Sequence, residues 1–397
     1  MEKKNGLGDT PKERGTHFTA PFYHRVVDNF LPKDIFDNVV KEARSSEFFK
    51  KHTDLFHFYQ TNELKNDVRF QPFLKFLRLG MNTDLKNINK KVENEQMDLF
   101  SSVYRAGDFL LPHDDCVSGR VLAFSFYLND PTTEDASTES ILLKETEHST
   151  EQKNGALVLY EPDGRTVAKR VKPIANRLVI FEVSGKSYHE VEIMTSGERL
   201  ALTGWLRAKE YNPESILLDY KPFRYWVFND KCSMEISKPN QTGLIDLGCG
   251  SANYSTKQME STLSSLKWKP RLNCVYTSLD EPVEDPSSTI TILPMEINLI
   301  KSEDIVDVLV GRIPEYGYML LNDPFNTESD ALAIISLYSG SINIVDSVGN
   351  VACVITKPGC YIWPDNGSLF IPPHSASGYI IAYRVNEICY IENLHNP

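Results

Sequence analysis

His113 and Asp115 stand one residue apart in the run Leu110-Leu111-Pro112-His113-Asp114-Asp115, and His189 and Arg199 follow much later in the chain. Two imidazoles and one carboxylate are the donor set of a non-heme iron(II) centre, which leaves positions open for a co-substrate and for dioxygen. Arg199 carries a permanent charge on a planar fork of donors. It is the natural anchor for the far carboxylate of 2-oxoglutarate, whose keto-acid end chelates iron. The chemistry expected of the four residues is oxidative. 2-Oxoglutarate and O2 give succinate and CO2, and one oxygen atom enters a C–H bond. The side chains position the metal and the co-substrate; they do no acid–base work.

A His-x-Asp pair alone is a weak signal. His113 could be a surface histidine after Pro112, Asp114-Asp115 a solvated turn, and His189 a satisfied core residue. The elements around them argue for a site. Residues 98–111 read as a strand, a turn at Ala106-Gly107-Asp108 and a short return. Arg120 to Leu128 alternates apolar positions and is rich in aromatics, and Arg177 to Val183 is a second such strand that ends at Ser184-Gly185. His189 falls in a short segment, Ser187 to Ile193, and Arg199 opens a last strand to Leu206. Residues two apart on a strand share a face, so His113 and Asp115 are expected to converge while Asp114 points away. On the last strand Arg199, Ala201, Thr203 and Trp205 share one face. Strands punctuated by turn residues predict an all-β sandwich or barrel, here a jelly roll whose mouth holds the metal.

These motifs carry a family resemblance. From Pro21 onward the segment PFYHRVVDNFLPKDIFDNVVKEARSSEFFKKHTDLFHFYQTNELKN, then Tyr104, LLPHDD, GRVLAFSFYL, GALVLY, RLVIFEVSGKSYHEV and RLALTGWL resemble the 2-oxoglutarate- and iron-dependent prolyl hydroxylases that modify a ribosomal protein of the decoding centre. The resemblance is strong over residues 20–207 and diffuse beyond, where the chain is shorter than the family's. It implies a mainly β fold with flanking helices, two double-stranded β-helix domains in tandem, the second without metal. By matching positions it implies that His113, Asp115 and His189 hold Fe(II) and that Arg199 binds the C5 carboxylate of 2-oxoglutarate. Tyr104 and Tyr127 match tyrosines that help bind the co-substrate. As alternate strand aromatics, read from the residues alone, they are more often core. Ascorbate is implied as reductant, and a prolyl residue of a basic small-subunit ribosomal protein as substrate. An oxygen-responsive transcription regulator is the alternative target.

The second half offers a competing motif. Residues 243–254, GLIDLGCGSANY, resemble the glycine turn with which Rossmann-type methyltransferases approach S-adenosylmethionine. Against it, the chain after Ser287 reads almost wholly β, and a lone glycine motif is weak. The segment Lys257 to Leu266 is expected to be a helical lead-in, and His374 and His395 lie too close to the C-terminus to build a triad.

With 397 residues the chain suggests two domains of about 200 residues each. The expected organisation is a disordered tail over 1–18, a catalytic domain over 19–208 led by a helix from Pro32 to about Ser45, a linker over 209–221 and a non-catalytic domain over 222–397. The Thr-, Glu- and Ser-rich stretch 132–154 is expected to be an inserted loop. Seven cysteines, scattered and odd in number, argue against a disulfide framework. No apolar signal core or bilayer-length stretch is present, so a cytosolic or nuclear protein is expected. The net charge of −12 argues against direct nucleic-acid binding and suits a basic protein partner.

Overall fold

Alternation of side chains builds the first half around one curled sheet. In the computed structural model the described residues are 15–90, 96–117, 119–129, 154–164, 166–208, 211, 213, 245–246, 260–261, 263–264, 269–270, 276–277, 305–319, 331–346, 351–363 and 367–386. The chain separates into two units, 1–219 and 220–397.

The first unit begins with β1 (Thr16–Phe18), β2 (His24–Val27), helix α1 (Lys33–Arg44), β3 (Phe49–His52) and β4 (Phe56–Gln60). Helix α2 (Gln71–Asn87) follows, then β5 (Gln96–Met97), β6 (Phe100–Arg105), β7 (Phe109–His113) and β8 (Arg120–Tyr127). The unit closes with β9 (Leu157–Tyr160), β10 (Val167–Val171), β11 (Leu178–Glu182), β12 (His189–Val191) and β13 (Glu198–Arg207). All thirteen strands join one antiparallel sheet. Strand β4 makes it curl. Its Tyr59 and Gln60 pair with Val103 and Ser102 of β6, while Phe56 and His57 pair with Leu110 and Phe109 of β7.

The period-2 pattern separates the two faces of the sheet. Leu122, Phe124 and Phe126 of β8, Leu178 and Ile180 of β11, and Leu200, Leu202 and Leu206 of β13 pack outward against the helices. Helix α1 contributes Phe36, Val39 and Ala43, and α2 contributes Phe73, Leu74, Leu77, Met81 and Leu85, in each case one apolar stripe at helical spacing. Each large side chain buried there is worth about 1.5–3 kcal/mol. The alternate residues Ala123, Tyr127, Val179, Phe181 and Ala201 line the inner face with Leu157 and Leu159. That inner face carries the site.

One ion pair locks α2 to the sheet. Arg25 of β2 and Asp84 of α2 are both fully buried; Arg25 Nε donates to Asp84 Oδ1 at 2.8 Å, and Tyr23 Oη donates to the same oxygen at 2.7 Å. Removing one partner strands the other charge away from water. Asp84→Ala is expected to cost about 3–5 kcal/mol in a denaturant titration; a loss below about 1 kcal/mol would mean that water reaches Arg25.

Several sequence expectations shift in detail. Within the expected disordered tail over 1–18, Thr16–Phe18 pairs with β2 through Thr16↔Val26; residues 1–14 lie outside the described ones. The expected helix from Pro32 to about Ser45 is α1, but α2 was not anticipated. The expected linker over 209–221 starts docked: Tyr211 Oη donates to Val183 O at 2.9 Å, and Gly119 N donates to Tyr211 O at 2.6 Å. The stretch 132–154 falls outside the described residues except Asn154, which bridges to Met194.

The described part of the second unit is also β. It has a seven-stranded and a three-stranded sheet around Leu332, Ile334, Ile344, Leu369 and Ile380. Ile245–Asp246, from the glycine motif, pairs antiparallel with Tyr361 and Ile362. Among the described residues every pairing in this unit is antiparallel, so the parallel strands of a doubly wound nucleotide fold are absent there. Residues 247–259, with the glycines, lie outside the described ones. Within the expected lead-in 257–266, Glu260, Ser261, Leu263 and Ser264 are helical. Among the described residues no helix is long and apolar enough to cross a membrane.

Candidate metal centre

Strand pairing brings the two histidines together. β7 and β12 are antiparallel neighbours in which His113 and His189 are direct Cα partners, and their ring centroids lie 4.2 Å apart. Each ring is oriented in the same way. His113 Nδ1 lies 2.8 Å from Leu111 O and His189 Nδ1 lies 2.7 Å from Ser187 O. A carbonyl only accepts, so Nδ1 carries the proton and Nε2 presents its lone pair, the arrangement a metal requires. Burial lowers His189 to about 4, reinforced by His113 and opposed by Asp115, which keeps the imidazole neutral.

Asp115 arrives by a route other than the expected one. β7 ends at His113, and Asp115 lies beyond it with φ 59°, in the left-handed region that Asp adopts more readily than most residues. The turn, not strand alternation, aims its carboxylate at the histidines. Asp114 does point elsewhere: its Oδ1 accepts from Cys116 N at 3.0 Å, and its carbonyl accepts from Ser187 Oγ at 2.9 Å. Asp115 Oδ1 is 3.7 Å from His113 Nε2, and Oδ2 is 3.6 Å from His189 Nε2. One ligand atom from each of the three lies within 4.8 Å of the others, and among the described residues no other group of three potential ligands forms. Burial would raise the Asp115 pKa. Arg120, His113, His189 and the Trp205 hydrogen bond together outweigh that and hold it below the usual carboxylate value. The donor set therefore fits a divalent iron: two neutral imidazoles and one ionised carboxylate.

Arg199 supplies the second half of the site. It is 1% exposed, and its guanidinium carbon lies 5.0 Å from the ring centroids of both Tyr104 and Tyr127. Pairing fixes this arrangement, since Arg199 faces Tyr104 on β6 and Ala201 faces Tyr127 on β8. Nη2 reaches Ser125 Oγ at 3.3 Å, whereas Nε and Nη1 have no protein partner. Tyr127 Oη is buried without a partner as well. A buried cation with two free donors beside a free hydroxyl is a carboxylate receptor that the protein itself does not satisfy. That is the fit expected for the distal end of 2-oxoglutarate. Burial raises the Tyr104 pKa, so its phenol stays protonated.

Of the six residues named from sequence, five thus lie on strands of the same curled sheet and Asp115 follows β7; His113, Asp115 and His189 converge on one point, and Tyr104 and Tyr127 flank Arg199. Sequence reasoning missed four neighbours. Ser125 was legible as the residue two before Tyr127 on the inward face of β8. Gly155 was not: a Cβ there would stand 2.3 Å from Met194 Sδ and 3.1 Å from Arg199 Cδ. Trp205 was placed on the Arg199 face by spacing, but its bond to Asp115, like that of Arg120, was not anticipated. A second His-x-Asp, His52-Thr53-Asp54, was also passed over; His52 packs edge-on against His57 at 5.1 Å and joins no ligand group among the described residues.

The family comparison falls on this half of the chain. Residues 99–207 match the family model described as the 2OG-Fe(II) oxygenase superfamily. The mouse prolyl 3-hydroxylase OGFOD1 is 33% identical over 196 residues, 47% of this chain and 32% of the relative. The Drosophila melanogaster prolyl 3-hydroxylase sudestada1 is 27% identical over 216 residues, 51% of this chain and 38% of the relative. This chain thus matches about a third of the length of these curated relatives. A solved prolyl-4-hydroxylase from Pseudomonas putida aligns with 47% of this chain and 92% of its own, with 21% identity and a TM-score of 0.36. The match to the 2OG-Fe(II) oxygenase superfamily model encloses all six residues that the sequence assigned to the site, so the likeness falls on the stretch that carries the metal-ligand cluster and Arg199.

Proposed function

We propose that this protein is a 2-oxoglutarate- and Fe(II)-dependent prolyl hydroxylase acting on a basic protein of the small ribosomal subunit. The observation that carries the oxygenase reading is the buried Arg199 guanidinium, with Nε and Nη1 unpartnered, on the same sheet as the His113, Asp115 and His189 cluster. Prolyl specificity is supported by the likeness to the mouse and Drosophila prolyl 3-hydroxylases, which also favours oxidation at C3. A basic target accords with the net charge of −12.

His113, Asp115 and His189 would hold the metal through two Nε2 atoms and one carboxylate oxygen. Bound Fe(II) supplies the redox chemistry that couples decarboxylation of 2-oxoglutarate by O2, giving succinate and CO2, to insertion of one oxygen atom into a prolyl C–H bond. Arg199 anchors the distal carboxylate with charge-assisted bonds, and Tyr127 Oη has a free donor for the same ligand. The Tyr104 and Tyr127 rings flank the guanidinium and keep water from it, which strengthens the pairing. Phe181, with its ring centroid 4.6 Å from that of His189, restricts that imidazole to one orientation.

The architecture we favour is two double-stranded β-helix domains in tandem, the catalytic one over 19–208 and a second without metal over 222–397. The direct test is incubation with Fe(II), 2-oxoglutarate, ascorbate and purified small-subunit proteins, followed by tandem mass spectrometry. One added oxygen on a prolyl residue of a decoding-centre protein is expected. Oxygen on another residue type, or co-substrate turnover that no ribosomal protein stimulates, would overturn the substrate assignment.

A further inference from the structure

Arg120 is a charged group at the site that neither the ligand set nor the co-substrate anchor uses. Its Nη1 donates to Asp115 Oδ1 at 2.7 Å, and its guanidinium carbon stacks 3.6 Å from the Trp205 ring centroid. Trp205 Nε1 donates to the other oxygen, Oδ2, at 2.8 Å. One stacked Arg–Trp unit therefore grips both oxygens of the carboxylate. Asp115 needs such a grip, because it lies beyond the end of β7 at φ 59°, where no ladder hydrogen bonds fix it.

Charge balance adds a second consequence. The formal charges at the site are the buried carboxylates Asp114 and Asp115 and the guanidinia of Arg120 and Arg199, which sum to zero although only Arg120 and Asp115 are in direct contact. A divalent cation alone leaves the site with a surplus of two positive charges, whereas a divalent cation together with a dianion leaves it balanced. In a site with little water, such a surplus is costly. The Arg120 side chain is only 20% exposed, so solvent screens it incompletely.

We propose that Arg120 is a positioning residue for Asp115 whose charge makes the site retain a divalent cation firmly only together with a dianionic ligand. The inference rests on the metal reading above. It also assigns separable roles to the two members of the stack. Arg120 couples metal to dianion through charge. Trp205 orients the carboxylate without adding charge.

The test is titration of metal-stripped protein with Mn(II), followed by the electron paramagnetic resonance of free Mn(II), with and without 2-oxoglutarate. The unaltered chain should bind Mn(II) at least about ten-fold tighter with the co-substrate than without it. Arg120→Gln keeps a hydrogen-bond donor and removes the charge. It should bind Mn(II) alone about ten-fold tighter than the unaltered chain and benefit less from 2-oxoglutarate. Arg120→Lys should preserve the coupling. Trp205→Phe should weaken Mn(II) binding equally in both conditions and leave the ratio unchanged. Melting curves establish that each variant is folded; should the Gln variant not fold, the Lys and Phe variants decide. Unchanged or weaker binding of Mn(II) alone by Arg120→Gln, or a Lys variant that loses the coupling, would overturn the proposal. Failure of the unaltered chain to bind Mn(II) at all would overturn the metal site and this inference with it.

Discussion

Arg199→Met is expected to raise the melting temperature of the ligand-free protein while abolishing its response to 2-oxoglutarate. The two effects share one cause. Arg199 is 1% exposed, and among the described residues its guanidinium bonds only Ser125 Oγ, at 3.3 Å, so the free protein holds a desolvated cation that no carboxylate pairs. An apolar side chain of similar volume removes that burden, a change worth about 1–3 kcal/mol in comparable cases. The Tyr104 and Tyr127 rings would then pack against a thioether, which they tolerate well. Losing the only cation between those rings should weaken 2-oxoglutarate binding at least about thirty-fold. Calorimetric melting with and without Mn(II) and 2-oxoglutarate reads both effects. A destabilised variant with unchanged co-substrate affinity would make Arg199 a core strut and remove the anchor from this account.

The ligand residues should separate in stability though not in activity. His113→Ala and Asp115→Ala are each expected to lower 2-oxoglutarate turnover by at least about a hundred-fold, since two remaining ligands do not retain the metal. The His113 side chain is 12% exposed and loses one hydrogen bond, to Leu111 O, so about 1 kcal/mol is the expected cost. Asp115→Ala additionally strands Arg120 and the Trp205 indole N–H, both of which donate to it. Its cost should be about 2 kcal/mol larger, moderated by the partial exposure of Arg120. Equal melting temperatures for the two variants would show that water replaces Asp115 without penalty. Wild-type turnover in either would remove that residue from the ligand set.

The chemistry was more legible in the sequence than the geometry that delivers it. The apolar stretches 120–128, 177–183 and 199–206 located β8, β11 and β13 within a residue or so, because strands buried on both faces leave short runs rich in aromatic and β-branched residues. The juxtaposition of His113 with His189 was readable only as a coincidence of types. Their cross-strand register depends on how β4 bends the sheet, and no local pattern encodes that. The positive φ at Asp115 was invisible for a related reason. The preceding strand suggested that alternation would continue, and the glycine of this connection, Gly119, stands four residues past Asp115. Helix α2 escaped because Gly80, Met81 and Asn82 blur an amphipathic pattern that tertiary packing and the Arg25–Asp84 pair make good. Arg120 and Trp205 are far apart in sequence and meet only through the β8–β13 pairing, which stacks the guanidinium on the indole.

The central claim is that His113, Asp115, His189 and Arg199 form one iron and 2-oxoglutarate site, and a thermal shift on metal-stripped protein tests it most directly. Mn(II) replaces Fe(II) so that no turnover occurs. At a hundred times its dissociation constant a ligand stabilises the folded state by about 2.7 kcal/mol, well within the reach of a melting curve. A rise with Mn(II) and 2-oxoglutarate in the unaltered chain, absent in His113→Ala, is the predicted result. No rise in the unaltered chain, or an equal rise in His113→Ala, would contradict it.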